Sequence, residues 1–488
     1  MASKEVEKYI PDEIFAELSP NSIGGESVFD IKKPITTENV EQFFSKQDVV
    51  HSTIRKLEEL GFRVLNTNYI TISISGLRSL YEKVFDTSLT VVERPAVKHL
   101  GQMSMSHIIS SEGSFSEGYI DVSKSPLADF AEGGAFERKC HLDVSPLPPP
   151  KSYWRLDVPD EISVAMKADH LHKDSITGGG IRVVMIDTGW YRHPFFTHRG
   201  YHINNTVLGA LANDPDRDEV GHGTGESANV FAIAPDIDFT MVKLSQNRSA
   251  SNADFNTAVQ LRPDIISCSW SYDLRDSDGT QSKHIPADLQ PLAASVANAV
   301  RQGIIVVFSA GNGKYGFPGM HPDVISAGGT YMNPDGSLEA TEYASGYSSI
   351  SYHGRDVPDV SGLVGKPPKA AYIMLPVEPN DEIDRSLAGG RHPDGDETLG
   401  NDGWAVFSGT SAAAPQLAGV CALIKQVCPQ LSPHRVRDIL MKTAIDITAG
   451  RCSPNTGGHS AHKGYDIATG SGLVDVASAV AEAKKSCT

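Results

Sequence analysis

Three short segments of this chain place an Asp, a His and a Ser where ordered elements should end, each among small residues that let other groups approach. The first, Val183-Val-Met-Ile-Asp187-Thr-Gly189, reads as a buried strand running into a turn. Asp187 would stand at a sheet edge, able to accept a hydrogen bond from an imidazole and fix its tautomer, although Asp-Thr-Gly after a strand also serves as a plain turn. The second, Gly221-His222-Gly-Thr-Gly225, flanks His222 with glycines that permit close backbone approach. An imidazole titrating near neutrality suits a general base, though a lone His is more often structural. The third, Phe407-Ser-Gly-Thr-Ser411-Ala-Ala-Ala-Pro415, is predicted to open a helix, because Pro415 is tolerated only in the first turn. Ser411 would then sit at a helix N-terminus, where the dipole and free amides stabilise a developing oxyanion. A plain capped helix would need nothing more of Ser411.

Together the three segments are far more specific than any one, since Asp, His and Ser in this order could form a nucleophile, base and orienter for acyl transfer. Asp187-Thr-Gly, His222-Gly-Thr and Ser408-Gly-Thr-Ser411-Ala-Ala-Ala-Pro resemble the signature blocks of the subtilisin-like serine proteases. A fourth block, Val306-Val-Phe-Ser-Ala-Gly-Asn312-Gly313, extends the resemblance over roughly residues 153–483. The resemblance implies a serine endopeptidase in which Asp187, His222 and Ser411 act as a triad and the Asn312 side chain donates to the oxyanion. It also implies that Ser269, Trp270 and Ser271 lie where the substrate backbone pairs, and that Ser309, Ala310 and Gly311 form a wall of the S1 pocket. The chain departs from the family pattern at Ala412, at Trp270-Ser271, and in the Gly-Thr-Gly-Glu-Ser-Ala run after His222. These departures bear on substrate preference and leave every reactive group in place.

The elements that must position these residues fall in two regions. From Tyr153 onward apolar strands alternate with helical patterns, which predicts an α/β domain: a doubly wound parallel sheet with helices on both faces. Ile181–Ile186, Ile265–Ser269 and Ile304–Phe308 are its clearest buried strands. Before it, residues 26–94 read as a small α+β unit of order βαββαβ, the ferredoxin-like arrangement. Its predicted elements are a strand at Phe29 and Ile31, a helix through Val50, Ile54, Leu57 and Leu60 ending at Gly61, and strands at 62–66 and 70–74. A helix through Leu77, Tyr81 and Val84 and a strand from Leu89 complete it. Residues 1–25 read as a tail and 95–152 as a Ser-, Gly- and Pro-rich linker holding a processing site, leaving 153–488 as the peptidase domain. Subtilisin-like proteases and the related sedolisins carry prodomains of this type, and Gly61-Phe-Arg-Val and Tyr81-Glu-Lys-Val-Phe resemble the sedolisin form. The resemblance therefore implies a zymogen whose prodomain is an intramolecular inhibitor and which processes itself. His222 and Asn312 point to subtilisin-type chemistry near neutral pH, since sedolisins carry acidic residues in both roles.

The 488 residues carry a formal net charge of −17, which repels phosphate backbones and argues against nucleic acid as a partner. Peptide or protein substrates are expected instead. No apolar stretch near the start suits a signal peptide or membrane span, so the expectation is a cytoplasmic protein without a membrane partner. The six cysteines lack metal-ligand spacing, which fits a reducing compartment better than a disulfide framework. No organic cofactor is implied. Asp214, Asp216, Asp218 and Glu219 have the oxygen-rich character of a possible Ca²⁺ site, with a solvated acidic loop as the plainer reading. The acidic stretch from Glu378 to Asp402 reads as a loop near the cleft that could favour basic peptides, or as simple solvation. Two alternatives to this endopeptidase reading are a peptide-maturation protease or macrocyclase using the same acyl-enzyme, and a catalytically silent binding protein on a protease scaffold.

Overall fold

The computed structural model describes residues 10–25, 27–29, 34–98, 102–138, 145–245, 250–398 and 401–487. Two compact units divide between Asp143 and Val144.

The N-terminal unit is built from β1 (Glu13–Pro20), α1 (Gln47–Leu60), β2 (Arg63–Thr67), β3 (Ile72–Leu77), α2 (Arg78–Val84), β4 (Leu89–Lys98), β5 (Gln102–Ser111), β6 (Tyr119–Ile120) and β7 (Ala131–Phe136). The first six keep the expected βαββαβ order, but the boundaries predicted from sequence need correction. The first strand is β1, inside the predicted tail: Ile14, Ala16 and Leu18 are buried and alternate with more accessible Glu13, Phe15 and Glu17, the period of a strand with one buried face. Phe29 lies in a turn, and Ile31 falls outside the described residues. The sheet order is β2-β3-β1-β7-β6. β7 belongs to the predicted linker, yet it pairs antiparallel with β1. β4 pairs along its length with β5 in a separate hairpin. The unit therefore runs through the whole region read as tail, prodomain and most of the linker. Its core contains Leu18, Leu57, Ile72, Ile74 and Tyr81, and the Tyr81 hydroxyl donates to Ile14 O at 3.1 Å, fastening α2 to β1.

The second unit centres on an eight-stranded sheet. Its principal elements are β8 (Arg182–Asp187), α3 (His222–Ile233), β9 (Asp238–Lys243), α4 (Ser251–Gln260), β10 (Ile265–Cys268), α5 (Gln290–Arg301), β11 (Ile305–Ser309), β12 (Ile325–Met332), β13 (Val360–Leu363), α6 (Thr410–Val427), α7 (Pro433–Thr443) and α8 (Val476–Cys487). The order Val207–Leu208, β9, β8, β10, β11, β12 is parallel throughout; β13 adds in parallel to β12 and Leu338–Ala340 adds antiparallel. Successive residues of β8 feed opposite cores. Val183 and Met185 pack with α3 and α6, while Val184 and Ile186 pack with α4 and α5. Burial on both faces explains why these strands read as unbroken apolar runs rather than alternating ones.

One disulfide joins Cys428, just after α6, to Cys487 at the end of α8, with Cα atoms 5.6 Å apart. This corrects the expectation of unpaired thiols. The pairing spans 59 residues and is created by the packing of two helices, so no local spacing announces it. Cys268, Cys421 and Cys452 are buried and free; Cys140 lies outside the described residues.

Candidate active site

Asp187 is the last residue of β8, Ser269 follows β10, Asn312 follows β11, and His222 and Ser411 lie in the first turns of α3 and α6. These positions gather at the carboxyl rim of the parallel sheet, where open α/β folds bind ligands.

The His222 imidazole is set between two acids. Its Nδ1 lies 2.7 Å from Asp187 Oδ1, and the same oxygen accepts from Thr188 N at 2.8 Å. Burial alone would lower the pKa of His222, but the charge and hydrogen bond of Asp187, helped by Glu226 and Asp218, raise it to about 9. The two glycines that flank His222 are needed sterically. Gly221 has φ +88°, and a Cβ there would run into Asp381 Oδ2; a Cβ on Gly223 would collide with Gly189 O and come within 3.1 Å of Asp187 Cβ. The start of α3 can lie against the Asp187 turn because Gly223 has no side chain, and against Asp381 because Gly221 has none.

Sequence reasoning missed the residue that locks this corner. Asp218, grouped from sequence with possible Ca²⁺ ligands, is fully buried. It accepts from Thr188 Oγ1 at 2.8 Å, Gly221 N at 3.0 Å, Thr224 N at 2.8 Å and Thr224 Oγ1 at 2.7 Å, and Thr188 Oγ1 in turn accepts from Gly223 N at 2.9 Å. Glu219 pairs with Lys243 at 2.8 Å. Among the described residues no group of three or more His, Cys, Asp or Glu side chains is arranged to hold a metal ion.

Ser411 is the second residue of α6, and Pro415 lies in the second turn rather than the first. The proline is accommodated by a specific exchange. Lacking an N–H, Pro415 cannot bond the carbonyl four residues back, which is that of Ser411; Ser269 Oγ donates to that oxygen instead, at 2.8 Å. The Ser411 hydroxyl donates to Ser269 O at 3.2 Å.

Asn312 is oriented by Thr410, a second residue that sequence reasoning passed over. Asn312 Oδ1 accepts from Thr410 N at 3.0 Å and Thr410 Oγ1 at 2.9 Å, and Thr410 Oγ1 accepts from Gly311 N at 3.2 Å. With its oxygen doubly held, the amide presents Nδ2 as a donor beside Gly409. Of the expected substrate-binding residues, Ser269, Ser309 and Ala310 are buried, and Ser271 approaches Gly316. Trp270 turns inward: its indole donates to Ile186 O at 3.1 Å and meets Phe308 edge-on.

The sequence profile of the subtilase family (peptidase S8) matches residues 178–472. The chain belongs to the subtilase family. Its relatives include serine protease AprX of Bacillus subtilis (strain 168), 29% identical over 325 residues that cover 59% of this chain and 68% of that protein. Alkaline elastase YaB of Bacillus sp. (strain YaB) is 25% identical over 285 residues, covering 56% of this chain and 61% of that one. Subtilisin Savinase of Lederbergia lenta is 24% identical over 295 residues, covering 58% and 90%. This subtilase thus spans about three fifths to two thirds of the first two relatives' length. It is a subtilisin-like serine endopeptidase by family, on the α/β sheet expected of one.

The acidic stretch beyond Glu378 is only in part the solvated surface considered from sequence: Glu382, Asp394 and Glu397 are exposed. Glu378, Asp381, Asp384 and Asp396 are all buried. Asp381 caps the helix Glu382–Leu387 by accepting from Asp384 N at 2.8 Å, while its Oδ2 is buried without a partner. Burial, with Asp218, Asp384 and Glu378 nearby, pushes the pKa of Asp381 up to about 8 against the opposing bond from Asp384. A carboxyl raised on folding favours its protonated form, so its contribution to stability falls as pH rises from about 4 to about 8, and the loss is complete above that range. Asp381→Asn retains the cap and removes the charge. In thermal unfolding it should raise Tm by about 2 °C or more near pH 9 and by less near pH 5; an equal shift at both pH values would exclude the buried charge as the cause.

Proposed function

We propose that this subtilase hydrolyses internal peptide bonds of peptide or protein substrates by acyl transfer through Asp187, His222, Ser411 and Asn312, and that its N-terminal unit is an inhibitory prodomain removed by self-cleavage. The observation that carries the reading is the 2.7 Å pairing of His222 Nδ1 with a buried Asp187, on the sheet rim that also holds Ser411. His222 Nε2 takes the Ser411 proton as Oγ attacks the scissile carbonyl. The oxyanion is met by Asn312 Nδ2 and the amide of Ser411 at the start of α6. The imidazolium then protonates the leaving amine, and water, activated by the same base, hydrolyses the ester.

Support for the prodomain comes from a separately cored unit ahead of the catalytic one. After the junction the chain is held to the catalytic unit: Trp404 donates to Ser145 O at 3.1 Å, Arg199 to Pro146 O at 3.2 Å, and Arg155 to Pro149 O. With β7 paired up to Phe136, the cut should fall between Phe136 and Ser145. The Cys428–Cys487 disulfide supports an oxidising compartment over the cytoplasm expected from sequence.

One experiment tests both parts. Wild type and Ser411→Ala are treated with a fluorophosphonate probe and their intact masses recorded. The wild type should be shortened by that cut and carry one probe, while Ser411→Ala should stay full length and unlabelled. Labelling of Ser411→Ala would overturn the nucleophile, and a labelled wild type that stays full length and fully active would overturn the prodomain.

A further inference from the structure

The run after His222 that departs from the family pattern puts a second acid on the catalytic imidazole. Glu226 stands one turn along α3, fully buried, with Oε1 3.9 Å from His222 Nε2. That oxygen has no hydrogen-bond partner. The other, Oε2, is fixed: it accepts from Asn229 Nδ2 at 2.9 Å, and Asn229 Oδ1 accepts from Gln416 Nε2 at 3.1 Å. Gln416 is clamped to β13, accepting from Leu363 N at 2.7 Å and donating to Leu363 O at 3.1 Å. Asn229 and Gln416 are fully buried as well, so a chain of amides crosses from the His222 helix to the Ser411 helix and holds one Glu226 oxygen in place. The free oxygen is left facing the imidazole nitrogen that must serve Ser411.

A buried carboxyl with one orphaned oxygen is costly to place, and an apolar side chain would fill the same space without that cost. Such groups call for an explanation in the chemistry they face. We propose that Glu226 is a positioning residue for catalysis, a second acidic group whose charge acts on His222 from the Nε2 side as Asp187 pairs with Nδ1, and so sets the pH at which the imidazole becomes free to act as a base. The inference rests on the triad reading above.

Fully protonated, the pair carries an imidazolium and a neutral carboxyl, and no base is available. Loss of one proton leaves a single proton on one of the two facing groups, His222 Nε2 or the Glu226 carboxyl; loss of the second frees Nε2 for Ser411. The surrounding groups agree with this order. Burial, then Asp187, pushes Glu226 up, to about 8, against His222 and the Asn229 bond. The buried Tyr343 hydroxyl also faces Glu226 and is raised by burial and by Glu226 itself. His222 is faced by Asp187, Glu226 and Asp218, each raising it.

Glu226→Gln keeps the shape and removes the ionisable proton. With one raising charge gone, the acid limb of its kcat/KM profile should lie about one to three pH units below that of the wild type, a shift that a purely structural role would not produce. A limb within about 0.3 unit of wild type overturns the proposal. The second arm needs neither turnover nor that variant. In histidine-labelled Ser411→Ala protein, the His222 imidazole carbon resonance, assigned by difference against His222→Ala, should titrate with two inflections. A single inflection overturns the proposal even if Glu226→Gln fails to fold. Because this arm is read in an inactive protein, failure of the triad reading would leave it intact and show only in the kinetics.

Discussion

Ser411→Ala and His222→Ala should each yield a folded protein whose kcat on a peptide substrate is lower by on the order of 10⁵–10⁶-fold. The loss follows from the geometry. Without Oγ there is no acyl-enzyme. Without the imidazole, Ser411 keeps its proton, its hydroxyl turned to Ser269 O at 3.2 Å. The double variant should be no worse than either single one, because the two residues act as a unit. Folding should survive in Ser411→Ala, since the removed hydroxyl makes one bond, to a carbonyl at the rim of the sheet, while the bond from Ser269 Oγ to the Ser411 carbonyl remains. Steady-state assays of matched, folded preparations decide the matter. Turnover within tenfold of wild type in Ser411→Ala would remove this residue from the chemistry.

Asn312→Ala should lower kcat by about 10²–10³-fold with little change in KM. The split is the diagnostic part: Nδ2 has its strongest partner only when the carbonyl oxygen becomes tetrahedral and charged, so the loss belongs to the transition state and not to substrate binding. Thr410 holds the amide by its oxygen through two bonds of 3.0 and 2.9 Å. Thr410→Val removes one of them and should reproduce a smaller loss in the same parameter. An unchanged kcat in Asn312→Ala would reduce Asn312 to a turn residue after β11.

The places of Asp187, His222 and Ser411 in the fold were legible from sequence because each sits in a short, strictly local context: a strand end, a glycine-flanked helix start, and a helix opening with small residues. What supports them was not legible, because burial turns polar residues into structure without marking the sequence. Asp218 looks like any member of an acidic loop until four donors are found around it. Glu226 looks like an exposed helix residue until the amides of Asn229 and Gln416, the latter distant in sequence, close over it. The N-terminal boundaries failed for a different reason. β7 is Ala131-Glu-Gly-Gly-Ala-Phe136, and residues this small carry no periodic apolar signal. Space for them is set by β1 and its neighbours: a Cβ on Gly134 would press on Glu17 O at 3.0 Å and on Leu18 at 3.2 Å. Pairing partners of that kind are chosen by tertiary fit, which no single-strand pattern encodes.

The crossed bonds between Ser269 and Ser411 carry one more consequence. Each residue gives its hydroxyl to the other's carbonyl, at 2.8 and 3.2 Å, and one of those carbonyls is available only because Pro415 leaves it unclaimed. The opening turn of α6 is thereby stitched to the end of β10 instead of to its own helix alone. A helix is a stiff rod, and a small tilt arising in the core would be magnified at its tip. Here the tip is pinned at the rim, so distortion accumulates in the turns below Pro415 and spares the alignment of Ser411. Substitutions deep along α6 should therefore be felt in unfolding temperature well before they are felt in turnover.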